Sequence, residues 1–342
     1  MLSTSSRPHQ ATFFVFVLKK GRENMVKRLC LFAGYSSKSV IEDYVVYYIK
    51  ELSKYADIYY CADCELSQIE LQKITPYTKY TIAQRHKKYD FGSWGILFSK
   101  IDNLKKYDEI LLVNDSCFGP LFSLDTIFAK MQDSQVSAWS ICGNKFMMSF
   151  FIILKQDIFL SSWFKNFITS IGEGIDKNDI VRLYEIGLSD MITEKGLKWD
   201  CVFSSKNLRQ QIKQHKKFIK SNIRTIPLSI RIFHHFRPNK VRCYDDDFFI
   251  LFLLGMPFIK KQAFGFNVNH FNLLAPLFIN KYSKYDYNLI EKSLKLNNIK
   301  PLKISFWQKI INHIKNFIFE KRYKEYGIVY RFCKIKFYVK KH

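Results

Sequence analysis

Apolar positions along this chain switch between two spacings, and the switching predicts strands and helices in turn. Arg28-Leu-Cys-Leu-Phe-Ala33 reads as a buried strand ending at Gly34. Across residues 40–54, Ile41, Val45, Tyr48, Ile49 and Leu52 recur at helical spacing. Residues 57–61 read as a second strand, 66–74 as a short helix, 80–83 as a third strand and 93–104 as a helix. Glu109-Ile-Leu-Leu-Val113 is a strong strand. Beyond Trp139, residues 146–154 read as another strand, and helices follow over 158–171 and 177–195, the second stopped at Gly196. Strands alternating with helices predict an α/β fold, a mostly parallel sheet with helices on both faces.

The flanks read differently. Residues 1–25 look like an N-terminal extension, 26–265 like the α/β domain, and 266–342 like a basic, largely helical C-terminal extension. Within that extension, residues 306–321 place Trp307, Ile310, Ile311, Ile314, Phe317 and Ile318 on one helical face, with Lys309, Lys315 and Lys321 interspersed. That pattern fits an interfacial helix, and equally a helix docked on the domain's own core.

Composition narrows the class. With 342 residues, 48% hydrophobic and 25% charged, the chain matches globular averages, which excludes disorder throughout. The longest uncharged apolar run, residues 248–259, is too short for a spanning helix, which needs about 20 residues. Residues 11–18 are apolar but precede a basic cluster, so no secretory leader is expected. Of 8 cysteines, only Cys61-Ala-Asp-Cys64 has metal or redox spacing, and no second pair completes a zinc site. Two ordinary thiols in a reducing compartment are expected. His234-His235 lack companion ligands at helical spacing, and Asp245-Asp-Asp247 reads as a solvated acidic turn or a second cation contact.

Charge changes the picture more. The net charge is +24, and most of it sits in two stretches. Residues 201–244 hold 11 basic residues and no acid; residues 301–342 hold 11 basic residues against Glu320 and Glu325. Such clustering suggests an anionic partner: nucleic acid, nucleotide diphosphates or an acidic membrane surface.

In parallel sheets ligands bind at the carboxyl ends of the strands. Two loops expected there are chemically loaded. One runs Arg85-His-Lys-Lys-Tyr-Asp-Phe-Gly-Ser-Trp94; the other, Asn114-Asp-Ser-Cys-Phe-Gly-Pro120, directly follows the strand at 109–113. Asp115 is placed to hold a divalent cation against a diphosphate, and Arg85, Lys87 and Lys88 to meet phosphate oxygens. Read singly, Asn114-Asp115-Ser116 also suits an Asx-type turn, and Gly92 a helix start. Glu185, in the helix at 177–195, is either a solvated face residue or a carboxylate aimed into the cleft.

Tyr89-Asp-Phe-Gly-Ser-Trp94, Tyr107-Asp-Glu-Ile-Leu-Leu-Val-Asn-Asp-Ser-Cys-Phe-Gly-Pro-Leu121 and Tyr184-Glu-Ile-Gly-Leu188 together resemble the rhamnan synthesis F family. Gly255-Met-Pro-Phe-Ile-Lys260 looks like that family's C-terminal signature. The resemblance covers about residues 27–265 and extends to family 2 glycosyltransferases of GT-A fold. It implies a GT-A-like, Rossmann-like sheet and transfer of a sugar, rhamnose or another deoxyhexose, from a nucleotide-sugar donor to a cell-surface polysaccharide, with inversion. It makes Asn114-Asp115-Ser116 the counterpart of an Asp-x-Asp motif, with a single carboxylate, and Glu185 the counterpart of the catalytic base, followed by Gly196. Asp115 then holds Mg²⁺ or Mn²⁺, while Arg85, Lys87, Lys88, Asp90, Gly92, Asn114 and Ser116 meet the donor. The Asn and Gly that usually precede the Tyr-Asp-Phe-Gly segment are absent, and Lys87 and Lys88 stand there. A lipid-linked glycan acceptor, an anionic membrane surface and a cytoplasmic, peripheral location are expected, and nucleic acid is not an expected partner. The rival readings are a nucleic-acid-binding protein, which has charge but no RNA or DNA motif on its side, and an inactive scaffold of a polysaccharide-assembly complex.

Overall fold

The computed structural model describes residues 26–131, 134–142, 146–172, 174–224, 248–266, 271–300, 319–324, 327–332 and 335–340. Four strands run parallel: β1 (Arg28–Gly34), β2 (Ala56–Ala62), β3 (Tyr80–Ala83) and β4 (Glu109–Asn114). A short β5 (Cys117–Phe118) leaves the sheet. Beyond β4 the sheet continues with β8 (Phe151–Lys155), antiparallel to β4, and β6 (Val136–Cys142), antiparallel to β8. The hydrogen-bonded order is β3-β2-β1-β4-β8-β6-β7, where β7 is Phe146–Met147; β9 (Trp199–Phe203) pairs with β6 in parallel. The expected mostly parallel sheet is therefore present, with an antiparallel flank.

Alternation along the central strands explains the two covered faces. On β1, Cys30 and Phe32 enter one core while Leu29, Leu31 and Ala33 enter the other; on β4, Leu111 and Val113 oppose Ile110 and Leu112. The first core receives α1 (Asp43–Leu52) through Tyr44, Tyr48 and Ile49. The second receives α3 (Tyr89–Phe98) through Phe91, Trp94 and Leu97, and α6 (Ser162–Thr169) through Phe164 and Ile168. Each such side chain contributes about 1.5–3 kcal/mol when fully buried. At the amino end of the sheet, Glu109 is buried between Arg28 (2.6 Å) and Lys155, so this carboxylate is compensated from both neighbouring strands.

The remaining helices are α2 (Gln68–Gln72), α4 (Leu124–Ala129), α5 (Gln156–Phe159), α7 (Lys177–Ile180), α8 (Gly187–Glu194), α9 (Ser205–Gln214), α10 (Lys216–Arg224), α11 (Phe248–Leu253), α12 (Gln262–Phe266), α13 (Phe271–Tyr282) and α14 (Asn288–Leu296). All six residues of α11 are buried, so the longest apolar run belongs to the interior. Phe278 of α13 and Ile290 of α14 join the same core as α1. No helix among the described residues is long and apolar enough to cross a membrane.

Several expected elements move. The helix expected at 93–104 begins at Tyr89, and the strand expected over 146–154 divides into β7 and β8. The helix over 158–171 breaks in two where the Ser161 hydroxyl accepts the Phe164 amide and starts a new helix. Residues 177–194 stay helical, but Val181–Ile186 widens to a π turn. The C-terminal extension is helical through α14 and then departs from expectation. Phe319–Lys324, Gly327–Phe332 and Ile335–Lys340 form an antiparallel sheet, β11-β12-β13. Branched and aromatic residues at every second position (Ile328, Tyr330, Phe332; Ile335, Phe337, Val339) favour strand over helix there. Of the helix expected over 306–321, residues 306–318 lie outside the described residues and 319–321 are strand.

Candidate functional site

The parallel register aligns the strand ends. Gly34 pairs with Ala62, Ala62 with Ala83, and Ala33 with Asn114, so the loops leaving β1 to β4 share one edge of the sheet. Both sequence-predicted loops lie on that edge.

The loop before α3 is organised by a residue on a different strand end. Asp63, buried just past β2, accepts the amide N–H of His86 (2.9 Å) and Lys87 (2.8 Å) on Oδ1 and that of Tyr89 (3.2 Å) on Oδ2. The Arg85 guanidinium lies 3.1 Å from the same carboxylate and donates to the Asp63 carbonyl at 2.7 Å. These bonds hold Lys87 and Tyr89 at φ 58 and 55, a left-handed backbone that side chains otherwise disfavour. Asp63 thereby takes the place of a local N-cap for α3, whose own N-cap residue, Lys88, makes no side-chain cap bond. The Lys88 amide donates to His86 Nδ1 (3.1 Å), which assigns the ring proton to Nε2, 3.0 Å from Ser93 Oγ. Burial lowers the His86 pKa, keeping the ring neutral. Gly92 is buried directly beneath; a Cβ there would lie 2.2 Å from Lys88 Cβ, so the turn closes only over glycine. Arg85 and Lys87 are exposed and Lys88 is half-buried.

The second loop forms a hydrogen-bonded chain. Asn114 donates from Nδ2 to Asp90 Oδ2 (2.7 Å), and its Oδ1 accepts from the Ser116 amide (3.1 Å) and hydroxyl (2.6 Å). Lys260 Nζ donates to Ser116 Oγ at 3.1 Å. Asp115 accepts the Tyr35 amide on Oδ2 (2.8 Å), while its carbonyl accepts the Tyr44 hydroxyl (2.7 Å). Burial pushes Asp115 up to about 6, against the pull of the Lys261 ammonium. Asp90 goes further, to about 7, through burial and then the charge of Asp115, with Glu185 adding to Asp115 and Lys260 opposing both.

Lys260 and Lys261 arrive from far along the chain. β10 (Ile259–Lys260) pairs antiparallel with β5, Lys260 opposite Cys117 and Ile259 opposite Phe118. Lys261 donates to Tyr44 OH (2.9 Å) and pairs with Glu42 (3.3 Å), a buried carboxylate also held by Asn297. Gly119 permits the approach: its φ is +148, and a Cβ would sit 2.5 Å from the Pro257 carbonyl oxygen. Gly119→Ala is expected to cost about 2–4 kcal/mol by strain and overpacking and to lower the melting temperature by about 3–8 °C. An unchanged melting curve would mean that β10 does not press on this turn.

Glu185 sits in the π turn between α7 and α8, a local widening often found at functional positions. Its Oε1 accepts from the Ser149 amide (2.9 Å) and hydroxyl (2.8 Å), which fixes the carboxylate beside β8. Glu185 is linked to the other acids by charge on Asp90; no hydrogen bond to them is formed among the described residues.

The structure thus gathers Asp90, Asn114, Asp115 and Ser116, with Lys260 and Lys261, and sets Glu185 within their electrostatic reach. Asp63, Glu42, Tyr44 and Lys261 were not singled out from sequence. For Asp63 the signal was available, since an acid ends β2 as Asp115 ends β4. Cys61 and Cys64 are buried free thiols, and burial pushes Cys61 up to about 12, as ordinary thiols behave. His234-His235 and Asp245-Asp-Asp247 lie outside the described residues. Among the described residues, no three His, Cys, Asp or Glu side chains converge to hold a metal ion.

Three solved structures are similar to the chain. The glycosyltransferase GlyE of Streptococcus pneumoniae is 11% identical, with 82% of this chain and 66% of that chain covered and a TM-score of 0.37. TarS residues 1–349 of S. aureus, in complex with UDP, is 10% identical over 92% of this chain and 98% of that one, with a TM-score of 0.31. Core-mannan synthase A of Aspergillus fumigatus, in its Mn/GDP form, is 9% identical over 49% and 70%, with a TM-score of 0.31. No curated protein matches the chain at a significant level. A family model for rhamnan synthesis protein F matches residues 58–233, a span that runs from β2 through the Asp63-held loop, the Asn114–Ser116 chain and Glu185. That span is more than half of the chain, and the protein belongs to the rhamnan synthesis protein F family.

Proposed function

We propose that this protein transfers a sugar, rhamnose or another deoxyhexose, from a nucleotide-sugar donor to a growing cell-surface polysaccharide, inverting the anomeric centre. The observation that carries the reading is the meeting of Asp115, Lys260 and Lys261 at the carboxyl edge of the parallel strands, with the Ser149-held Glu185 beside them. An edge of this kind binds ligands in α/β sheets, and lysines there meet a diphosphate.

A divalent cation, Mg²⁺ or Mn²⁺, fits the donor set. The charge of Asp115 helps push Asp90 above its ordinary range, a repulsion that a cation would relieve. One or two carboxylates plus substrate phosphates and waters suffice for such an ion, so a three-residue cage is not required. Asp115 would hold it, and when bound it would offset charge on the leaving diphosphate.

The chain's own residues supply the rest. Lys260 and Lys261, with Arg85, Lys87 and Lys88 at the rim, stabilise negative charge growing on the diphosphate as its bond to the sugar breaks. The acceptor hydroxyl attacks the anomeric carbon from the opposite face, and its proton passes to Glu185 Oε2; Oε1 remains occupied by Ser149. One displacement with one base inverts the centre. The acceptor in this reading is a lipid-linked glycan, met at the cytoplasmic face of a membrane.

The test is a thermal-shift screen of nucleoside diphosphates and nucleotide sugars, each with and without Mg²⁺ or Mn²⁺. Ligand at 100 times its Kd stabilises the folded state by about 2.7 kcal/mol, an upward shift of several degrees. The expected result is a nucleotide-selective shift that grows with the cation. No shift with any nucleotide would overturn the reading.

A further inference from the structure

α9 and α10 follow β9 as consecutive amphipathic helices whose two sides have different fates. Leu208, Ile212 and Ile219 are buried in the core that also holds α1 and α13. Asn222 and Tyr282 share a hydrogen bond that ties α10 to α13. With the apolar sides consumed, the outward sides present Lys213, Lys216, Lys217 and Lys220, all exposed. None of these four forms an ion pair among the described residues, and residues 201–244 contain no Asp or Glu to provide one. Like charges at helical spacing repel one another, so this surface is electrostatically incomplete in the isolated chain.

We propose that the α9–α10 surface docks the protein on an anionic lipid bilayer. Charge complementarity is the first argument: anionic headgroups supply the missing counter-charge, and each lysine near such a surface strengthens binding about fivefold. The second argument is what the surface lacks. None of the large exposed hydrophobic side chains falls between Trp199 and Asn222, so these helices have no stacking platform for the bases of a single strand. Docking is therefore electrostatic and at headgroup depth.

The third argument is position. β9 is parallel to β6, β6 is antiparallel to β8, and β8 is antiparallel to β4, so β9 points the same way as β4. The β9–α9 junction at Ser204 consequently lies at the edge of the sheet that carries Asn114–Ser116. α9 therefore starts from the edge that a membrane-borne acceptor has to reach. This last argument rests on the proposed function; the first two do not.

The experiment uses the full chain and vesicles of phosphatidylcholine with or without 30% phosphatidylglycerol. The wild type is expected to sediment with the anionic vesicles at low salt, to stay in solution with neutral ones, and to be released by 0.5 M salt. Combining Lys213→Glu, Lys216→Glu, Lys217→Glu and Lys220→Glu is expected to weaken vesicle binding by at least 100-fold, while the four Lys→Arg changes preserve it. Sedimentation of the Glu variant equal to wild type would overturn the proposal. So would displacement of the wild type from vesicles by equimolar duplex RNA, which would mark the surface as one for nucleic acid. Nucleotide-induced thermal shifts of the folded variants separate the two readings. Lost vesicle binding with shifts unchanged supports both; lost vesicle binding with no shift even in the wild type supports the docking surface and removes the transferase.

Discussion

Glu185→Gln is expected to lower turnover by about 10²–10⁴-fold while leaving nucleotide binding close to wild type. The substitution is nearly isosteric, and a glutamine carbonyl can still accept both the Ser149 amide and the Ser149 hydroxyl. The π turn that presents residue 185 is held by the helical backbone on either side, so its geometry does not depend on the charge. What is lost is the ability to take the acceptor proton at the second oxygen. A single-turnover measurement with saturating donor separates this from a binding defect, because kcat falls while the thermal shift with nucleotide persists. Turnover within twofold of wild type would remove Glu185 from the chemistry. A collapse of the nucleotide shift would instead assign it to the donor pocket.

The two loops that carry most of the candidate site were legible because each follows a strand with an unambiguous pattern. β4 is buried along its whole length, and β3 is bounded by polar residues, so the next residues had to emerge at a sheet edge. The start of α3 was not legible. Local sequence offers no capping side chain near Lys88, and the cap comes from Asp63, 26 residues before Tyr89. The placement of the lysines at the site was hidden for a related reason. Lys260 and Lys261 reach the site through pairing of β10 with β5, two-residue strands whose partners are separated by more than 140 positions. Periodicity sees neighbours along an element and is blind to such contacts. Glu185 was found through its motif, but its fixed orientation depends on Ser149, which lies in the break between β7 and β8 that the continuous apolar pattern of 146–154 concealed. The terminal sheet failed differently. A helical face was read from Trp307 to Ile318, and extending it to residue 321 overran the start of β11.

The second large effect concerns Asp115 at the end of β4 and Asp90, which faces it from the first turn of α3. Asp115→Asn is expected to reduce transfer by at least about 10³-fold, since it removes the carboxylate proposed to anchor the cation and the diphosphate. The fold is expected to persist, because an asparagine carbonyl can still accept the Tyr35 amide, and the Tyr44 hydroxyl bonds the backbone of residue 115. The change also acts on Asp90, which burial and then the charge of Asp115 push up to about 7. A carboxyl raised in the folded state holds a proton that the unfolded chain has released. Its stabilising contribution is complete below the unfolded value of 3.8 and is lost as pH rises through about 7. The ligand-free wild type is thus expected to lose melting temperature between pH 4 and pH 8 from this group. In Asp115→Asn, with one of the causes removed, the Asp90 value falls and that window narrows from its upper end. Binding has the opposite sign, because a cation requires the ionised carboxylates. Nucleotide affinity in Mn²⁺ is expected to rise from pH 5 to pH 8 in the wild type and to be weak and nearly flat in the variant. Melting curves at four pH values, with and without nucleotide and Mn²⁺, read both effects together. A variant that unfolds at every pH would make Asp115 a structural turn former. A variant that keeps the wild-type pH dependence in both measurements would uncouple Asp115 from Asp90 and from the donor.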